Sequence, residues 1–252
     1  MNRHVCILVL ALLLLPLNDS SASAQSCAGN PVAVQILGSG GPVLDPSRAS
    51  SSYILWVGKQ AKVLVDMGGG AYFRFAQAKA KLSDLSLLAV SHLDPDHIAD
   101  LPALLWLSNR SRTEPLPTVG PSGNNLAPDY STFLNRLFDE KNGVFQTMGS
   151  ALGGTQPYAA QSVLLDASVV DATKAEPSTV YDRAGITVTA LGIPHGDLPT
   201  LAYRVQTRGK SVVFSSDQTG TNPEFVKFAK GTDLLIMHLT IGAGAKNPLH
   251  AA

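Results

Sequence analysis

Ser91-His92-Leu93-Asp94-Pro95-Asp96-His97 puts two imidazoles and two carboxylates into the six residues from His92 to His97. They follow the apolar run Leu87-Leu88-Ala89-Val90, which fits a buried strand, and precede residues 99–107, which read as a helix. A short polar loop between a strand and a helix is a common mount for functional side chains. Packing does not account for the cluster, because Asp is almost never fully buried unless paired. A solvated acidic turn, with Asp96 as the N-cap of the next helix, is the plainer alternative. Imidazole and carboxylate at this density favour a divalent metal site.

The arrangement recurs further along the chain. His195 follows the strand-like run 185–191, Asp217 follows 211–214, and His238 follows 234–237. Residues 32–37, 52–57, 61–65 and 201–206 also read as strands, bounded by Gly and Pro turns. Residues 71–81, a stretch within 124–141 and residues 224–230 read as helices. Helices mixed with strands that are joined by tight turns indicate a layered α/β sandwich. Such a sheet would bring His195, Asp217 and His238 to one edge.

In these residues the chain resembles the metallo-β-lactamase superfamily, in particular its branch of tRNase Z and arylsulfatase-type hydrolases. The likeness covers about residues 34–250 and includes Leu37-Gly38-Ser39-Gly40-Gly41-Pro42, Arg48-Ala49-Ser50-Ser51-Ser52-Tyr53 and Val65-Asp66-Met67-Gly68. The family signature H-x-H-x-D-H stands here as His92-Leu93-Asp94-Pro95-Asp96-His97, with Asp94 replacing the middle His. The resemblance implies an α/β fold, a four-layer αββα sandwich, here lacking its C-terminal strand and helix.

It also implies two divalent metal ions. His92, Asp94 and His195 would hold one, Asp96 and His97 the other, and Asp217 would bridge them. Asp96 and His238 would take part in the chemistry, His238 as a proton donor. The family's last ligand lies beyond the segment matching His250, so either His238 or His250 takes that role or the second site is incomplete. Zinc is the expected metal, and the harder oxygen of Asp94 also admits manganese. The implied reaction is hydrolysis of an ester, phosphoester or lactone by a metal-activated water. A tRNase Z-like phosphodiesterase and a truncated, non-catalytic metal binder stand as alternatives.

Composition bounds the setting. The 252 residues are 45% apolar and show no internal repeat, which suits one domain over residues 25–252. Nineteen basic and nineteen acidic side chains give a formal net charge of zero. A grip on a polyanion usually shows as a basic excess or stripe, and residues 139–178 hold only Lys141 and Lys174 as basic residues. This weighs against nucleic acid and toward a small-molecule substrate. At the start of the chain, Arg3 and His4, an apolar run over 5–17 and Ala22-Ser23-Ala24 have the order of a signal peptide spanning residues 1–24. The run is short of the ~20 apolar residues of a membrane span, so a periplasmic or secreted protein without a stable membrane anchor is expected. Cys6 leaves with the leader, and Cys27 is then the single cysteine.

Overall fold

Alternate side chains of the first strands part into two cores, and that division sets the layers of the molecule. The computed structural model describes residues 31–238 apart from Leu44, Asn109, Arg110, residues 156–162 and Thr221. The expected signal peptide, Cys27 and His250 lie outside the described residues. Strands β1 (Val32–Gly38), β2 (Ser52–Val57) and β3 (Gln60–Val65) pair antiparallel. Strands β4 (Leu87–Ala89), β5 (Leu116–Pro121) and β6 (Leu165–Val170) then extend the sheet in parallel, in the order β1-β2-β3-β4-β5-β6.

Ile54, Leu64, Leu88 and Val90 point to one side of this sheet. There they meet Phe75 of α1 (Ala71–Gln77), Ile98 of α2 (Pro95–Ile98), Leu104 of α3 (Leu101–Leu107) and Leu134 of α4 (Tyr130–Phe138). Their neighbours Leu55, Val63, Val65, Leu87 and Ala89 point the other way, onto a second sheet. A one-residue slip would exchange the two sets, so the register is held by both cores at once.

The second sheet runs in the order β11-β10-β9-β8-β7. Its strands are β7 (Ser178–Arg183), β8 (Ile186–Ile193), β9 (Thr200–Thr207), β10 (Lys210–Phe214) and β11 (Leu234–Ile236). Val188, Leu201, Tyr203 and Phe214 face the first sheet, while Leu191, Ile193, Ala202 and Val213 face Phe225 and Phe228 of α5 (Pro223–Ala229). The result is a four-layer αββα sandwich.

Three differences from the sequence reading have local causes. The helix expected over 71–81 stops at Gln77, because Lys79 takes a positive φ of 57° and reverses the chain. The helix expected over 99–107 starts two residues later as α3, at Leu101, with Pro102 in its first turn, and the separate short helix α2 precedes it; a missing N–H in a first turn costs nothing. Asp96 is not an N-cap: it lies inside α2, and Asp94 precedes that helix. Strand β5 escaped notice because Pro117, Gly120 and Pro121 interrupt it. Only its Thr118 and Val119 pair with β4, so the prolines fall past the ends of that ladder.

Candidate metal centre

Every candidate side chain sits just past the C-terminal end of a strand. Asp66 follows β3, Ser91 to His97 follow β4, His195 follows β8, Ser215 to Asp217 follow β10 and His238 follows β11. Ligands of open α/β sheets gather at the carboxyl ends of strands. Two hydrogen bonds clamp the sheets together here: Leu201 N donates to Ser91 O at 2.9 Å, and Tyr203 Oη donates to Val90 O at 2.7 Å.

The residues form a bowl with a buried floor and a partly exposed rim. His92 and His97 are buried and their rings lie 4.0 Å apart, centroid to centroid. Asp94 Oδ2 stands 3.6 Å from His92 Nε2 and 3.8 Å from His195 Nε2, and the Asp94 and His195 side chains are 46% and 32% exposed. Asp217 Oδ1 is 3.6 Å from His97 Nε2, and Asp96 Oδ2 is 3.7 Å from the same nitrogen. His238 reaches Asp217 Oδ1 through Nδ1 at 3.3 Å, and its ring stacks on Tyr53. Two sets, His92–Asp94–His195 and His92–His97–Asp217, each place three ligand atoms within 4.8 Å of one another. Seven of the eight residues singled out from sequence thus come together; the eighth, His250, lies outside the described residues.

Do these side chains fit a cation? Among the described residues, the buried side-chain N and O atoms with no hydrogen-bond partner are His92 Nε2, Asp96 Oδ2, His97 Nε2 and His238 Nε2. An unpaired buried polar atom costs ~1–3 kcal/mol, so four in one place need a shared partner. Lone pairs of neutral imidazole and carboxylate are what a divalent metal takes. The donor set fits.

Sequence reasoning assigned no role to Asp66 or Ser91. Asp66 is fully buried and adopts a left-handed φ of 58°. Its Oδ1 accepts from Ser91 N at 2.7 Å, and its Oδ2 lies 2.8 Å from both Ser91 Oγ and His97 Nδ1. A carboxylate on Nδ1 turns Nε2 of His97 toward the bowl. The strand-end rule that found His195 also points to Asp66, the residue directly after β3.

Electrostatics follow from this packing. Burial works against ionisation of Asp66, yet the adjoining His97 and His92 hold its carboxyl below the usual range. Asp217 behaves alike: burial opposes its charge, and hydrogen bonds from His238 and His97 prevail and lower it. For His97, burial disfavours the cation, but the Asp66 and Asp217 carboxylates raise its pKa to about 10. A metal at Nε2 must displace that proton, so metal uptake near neutral pH releases protons.

Gly68 ties the fold to this centre. A Cβ built there would lie 1.9 Å from Asp96 O and 2.5 Å from Ser50 Cβ. Gly68→Ala should therefore push the Asp96 loop outward and cost roughly 1–3 kcal/mol by overpacking. A lower thermal midpoint and a lower metal content are the expected readings. An unchanged midpoint would show that the loop yields freely.

Residues 62–251 match the family described as the Beta-lactamase superfamily domain. The chain belongs to the beta-lactamase superfamily. As a member of that superfamily it is a metal-dependent hydrolase. It is 29% identical over 208 residues to ribonuclease Z of Mycobacterium bovis, covering 81% of this chain and 68% of the relative. It is 31% identical over 191 residues to ribonuclease Z of Mycolicibacterium paratuberculosis, covering 74% and 62%. The chain thus spans about two thirds of the length of these relatives. Among solved structures, the short form of human tRNase Z superposes with a TM-score of 0.61 at 19% identity, over 80% of this chain and 76% of that one. Zinc-bound PqqB from Methylobacterium extorquens gives 0.55 at 15%, over 80% and 71%. Both show that the superfamily fold is shared.

The relatives correct one expectation from composition. Charge balance points away from nucleic acid, whereas the similar proteins are ribonucleases Z. Formal charge counts side chains only, and it omits any cations the superfamily's acidic and imidazole residues hold. A bound divalent ion is often the largest local charge in a site. The overall sum is therefore a poor guide to phosphate binding here.

Proposed function

We propose that this chain hydrolyses phosphodiester bonds in RNA at a centre of two zinc ions. The observation that carries this reading is that His92 Nε2, Asp96 Oδ2 and His97 Nε2 are buried together without a hydrogen-bond partner. They occur in a chain similar to ribonucleases Z over 208 residues. His92, Asp94 and His195 would hold one ion and Asp96 and His97 the other, with Asp217 between them. Bound divalent ions would supply Lewis acidity toward phosphoryl oxygens and lower the pKa of water toward ~7. The protein's own part is positional. Asp66 keeps His97 Nε2 turned to the centre, Asp217 fixes the His238 ring through Nδ1, and His238 Nε2 is placed to pass a proton to the departing oxygen.

The test uses protein loaded with zinc, a labelled transfer RNA precursor and bis(p-nitrophenyl) phosphate. Zinc-dependent cleavage of the RNA is expected. Protein that binds zinc stoichiometrically yet cleaves neither compound would overturn the reading.

Asp94 gives this centre a harder ligand set than three imidazoles would. Asp94→His should raise the ratio of zinc to manganese affinity, measured by competition with a chromophoric chelator. The same ratio in both proteins would mean that Asp94 does not coordinate.

A further inference from the structure

One hydroxyl at the floor of the bowl touches three of its charged or ligating groups. Ser91 Oγ lies 2.8 Å from Asp66 Oδ2, 3.0 Å from His92 Nδ1 and 3.3 Å from His97 Nδ1, and Ser91 is buried. Hydrogen-bond accounting leaves little freedom. Asp66 accepts the Ser91 amide at Oδ1, and its Oδ2 is the nearest acceptor for both the His97 Nδ1–H and the serine hydroxyl. A hydroxyl has a single proton to donate. With that proton on Asp66, Ser91 Oγ can only accept from His92, which puts the His92 proton on Nδ1 and leaves Nε2 as a lone pair. His92 has no carboxylate on Nδ1: its other partner there is Ser216 Oγ at 3.4 Å.

We propose that Ser91 is a positioning residue through which the single carboxylate of Asp66 fixes both floor histidines in the Nδ1–H form. Asp66 acts on His97 directly and on His92 through the serine hydroxyl. His92 Nε2 then faces Asp94 and His195, and His97 Nε2 faces Asp96 and Asp217. The chain is His92 Nδ1–H to Ser91 Oγ, then Ser91 Oγ–H to Asp66 Oδ2, with His97 Nδ1–H on the same carboxylate. Every donor has one acceptor. Ser216, whose backbone is held at φ 51°, offers His92 a longer second partner, so loss of Ser91 weakens the anchor without abolishing it.

This deepens the proposed metal centre and rests on it, and the experiment separates the two. Zinc affinities of the full-length native protein, Ser91→Ala and Ser91→Thr are measured by chelator competition, together with nitrogen-15 NMR of the histidine side chains. If the native protein binds no zinc, the metal-centre reading fails. If it does, Ser91→Ala should keep one ion tight and weaken the ion held through His92, Asp94 and His195 by roughly 10–100-fold. Threonine, which keeps the hydroxyl, should restore most of that loss. In the native zinc-loaded protein, His92 and His97 should both show a slowly exchanging Nδ1–H, and in Ser91→Ala the His92 signal alone should exchange faster. The serine link is overturned if Ser91→Ala leaves both affinities unchanged or weakens both alike. It is equally overturned if threonine fails as badly as alanine, or if native His92 carries its proton on Nε2.

Discussion

His92→Ala and Asp217→Asn are each expected to lower metal content and to reduce hydrolysis by roughly a thousandfold, equivalent to ~4 kcal/mol of lost transition-state stabilisation. His92 is the buried member of the set His92–Asp94–His195, so its loss strips the ion assigned to that set first. His92 is fully buried, so its removal opens a cavity beside the remaining ligands as well as deleting a donor. Asp217→Asn is the subtler change. It keeps the shape of the side chain and removes its charge, while Oδ1 sits 3.6 Å from His97 Nε2 and 3.3 Å from His238 Nδ1. Asparagine can still accept from His238, so the local fold should stand and the defect should appear in metal content first. Full metal and full activity in either variant would show that the centre lies elsewhere.

Much of this centre is legible because strand ends announce themselves in sequence. An apolar run that stops at a His or Asp has few explanations other than display of that side chain, and His195, Asp217 and His238 were found on that ground. Asp66 and Ser91 obey the same rule but are short polar residues next to a turn, where hydrogen bonding to the backbone is the commoner reason for them. Only the fold shows Asp66 meeting His97, across thirty-one positions of sequence. The layers were legible too, since helices mixed with strands that tight turns join fit a layered α/β sandwich. Strands β6 and β7 were not. Both are edge strands, and β6 carries Asp166, Ala167, Ser168 and Val169 exposed, so neither shows an apolar run. Polar edges protect a sheet against further pairing, and they also erase its signature.

His238→Ala should lower turnover at least about tenfold while the metal stays bound, the pattern of a lost proton donor. Three contacts fix this ring where chemistry could use it. Its backbone N donates to Ser215 Oγ at 2.9 Å, its face stacks on Tyr53 with centroids 5.0 Å apart, and its Nδ1 is on Asp217. With Nδ1 so engaged, Nε2 is the nitrogen left to serve the substrate, and it is buried without a partner. The same facts allow a rival role, because an orphaned Nε2 beside Asp217 could itself be a ligand. Metal content separates the two. Retention of both ions with slow turnover identifies a proton donor, and loss of one ion identifies a ligand. Deletion of residues 246–252, which include His250, completes the comparison and should cost less than His238→Ala. Gly242, Gly244 and Pro248 give the stretch leading to His250 a turn-rich composition, and fixing such backbone costs roughly 1–2 kcal/mol per residue, whereas His238 is already held just past β11. Should the deletion strip one ion and stop turnover while His238→Ala keeps both, the last ligand is His250 and the proton-donor role of His238 stands on its own.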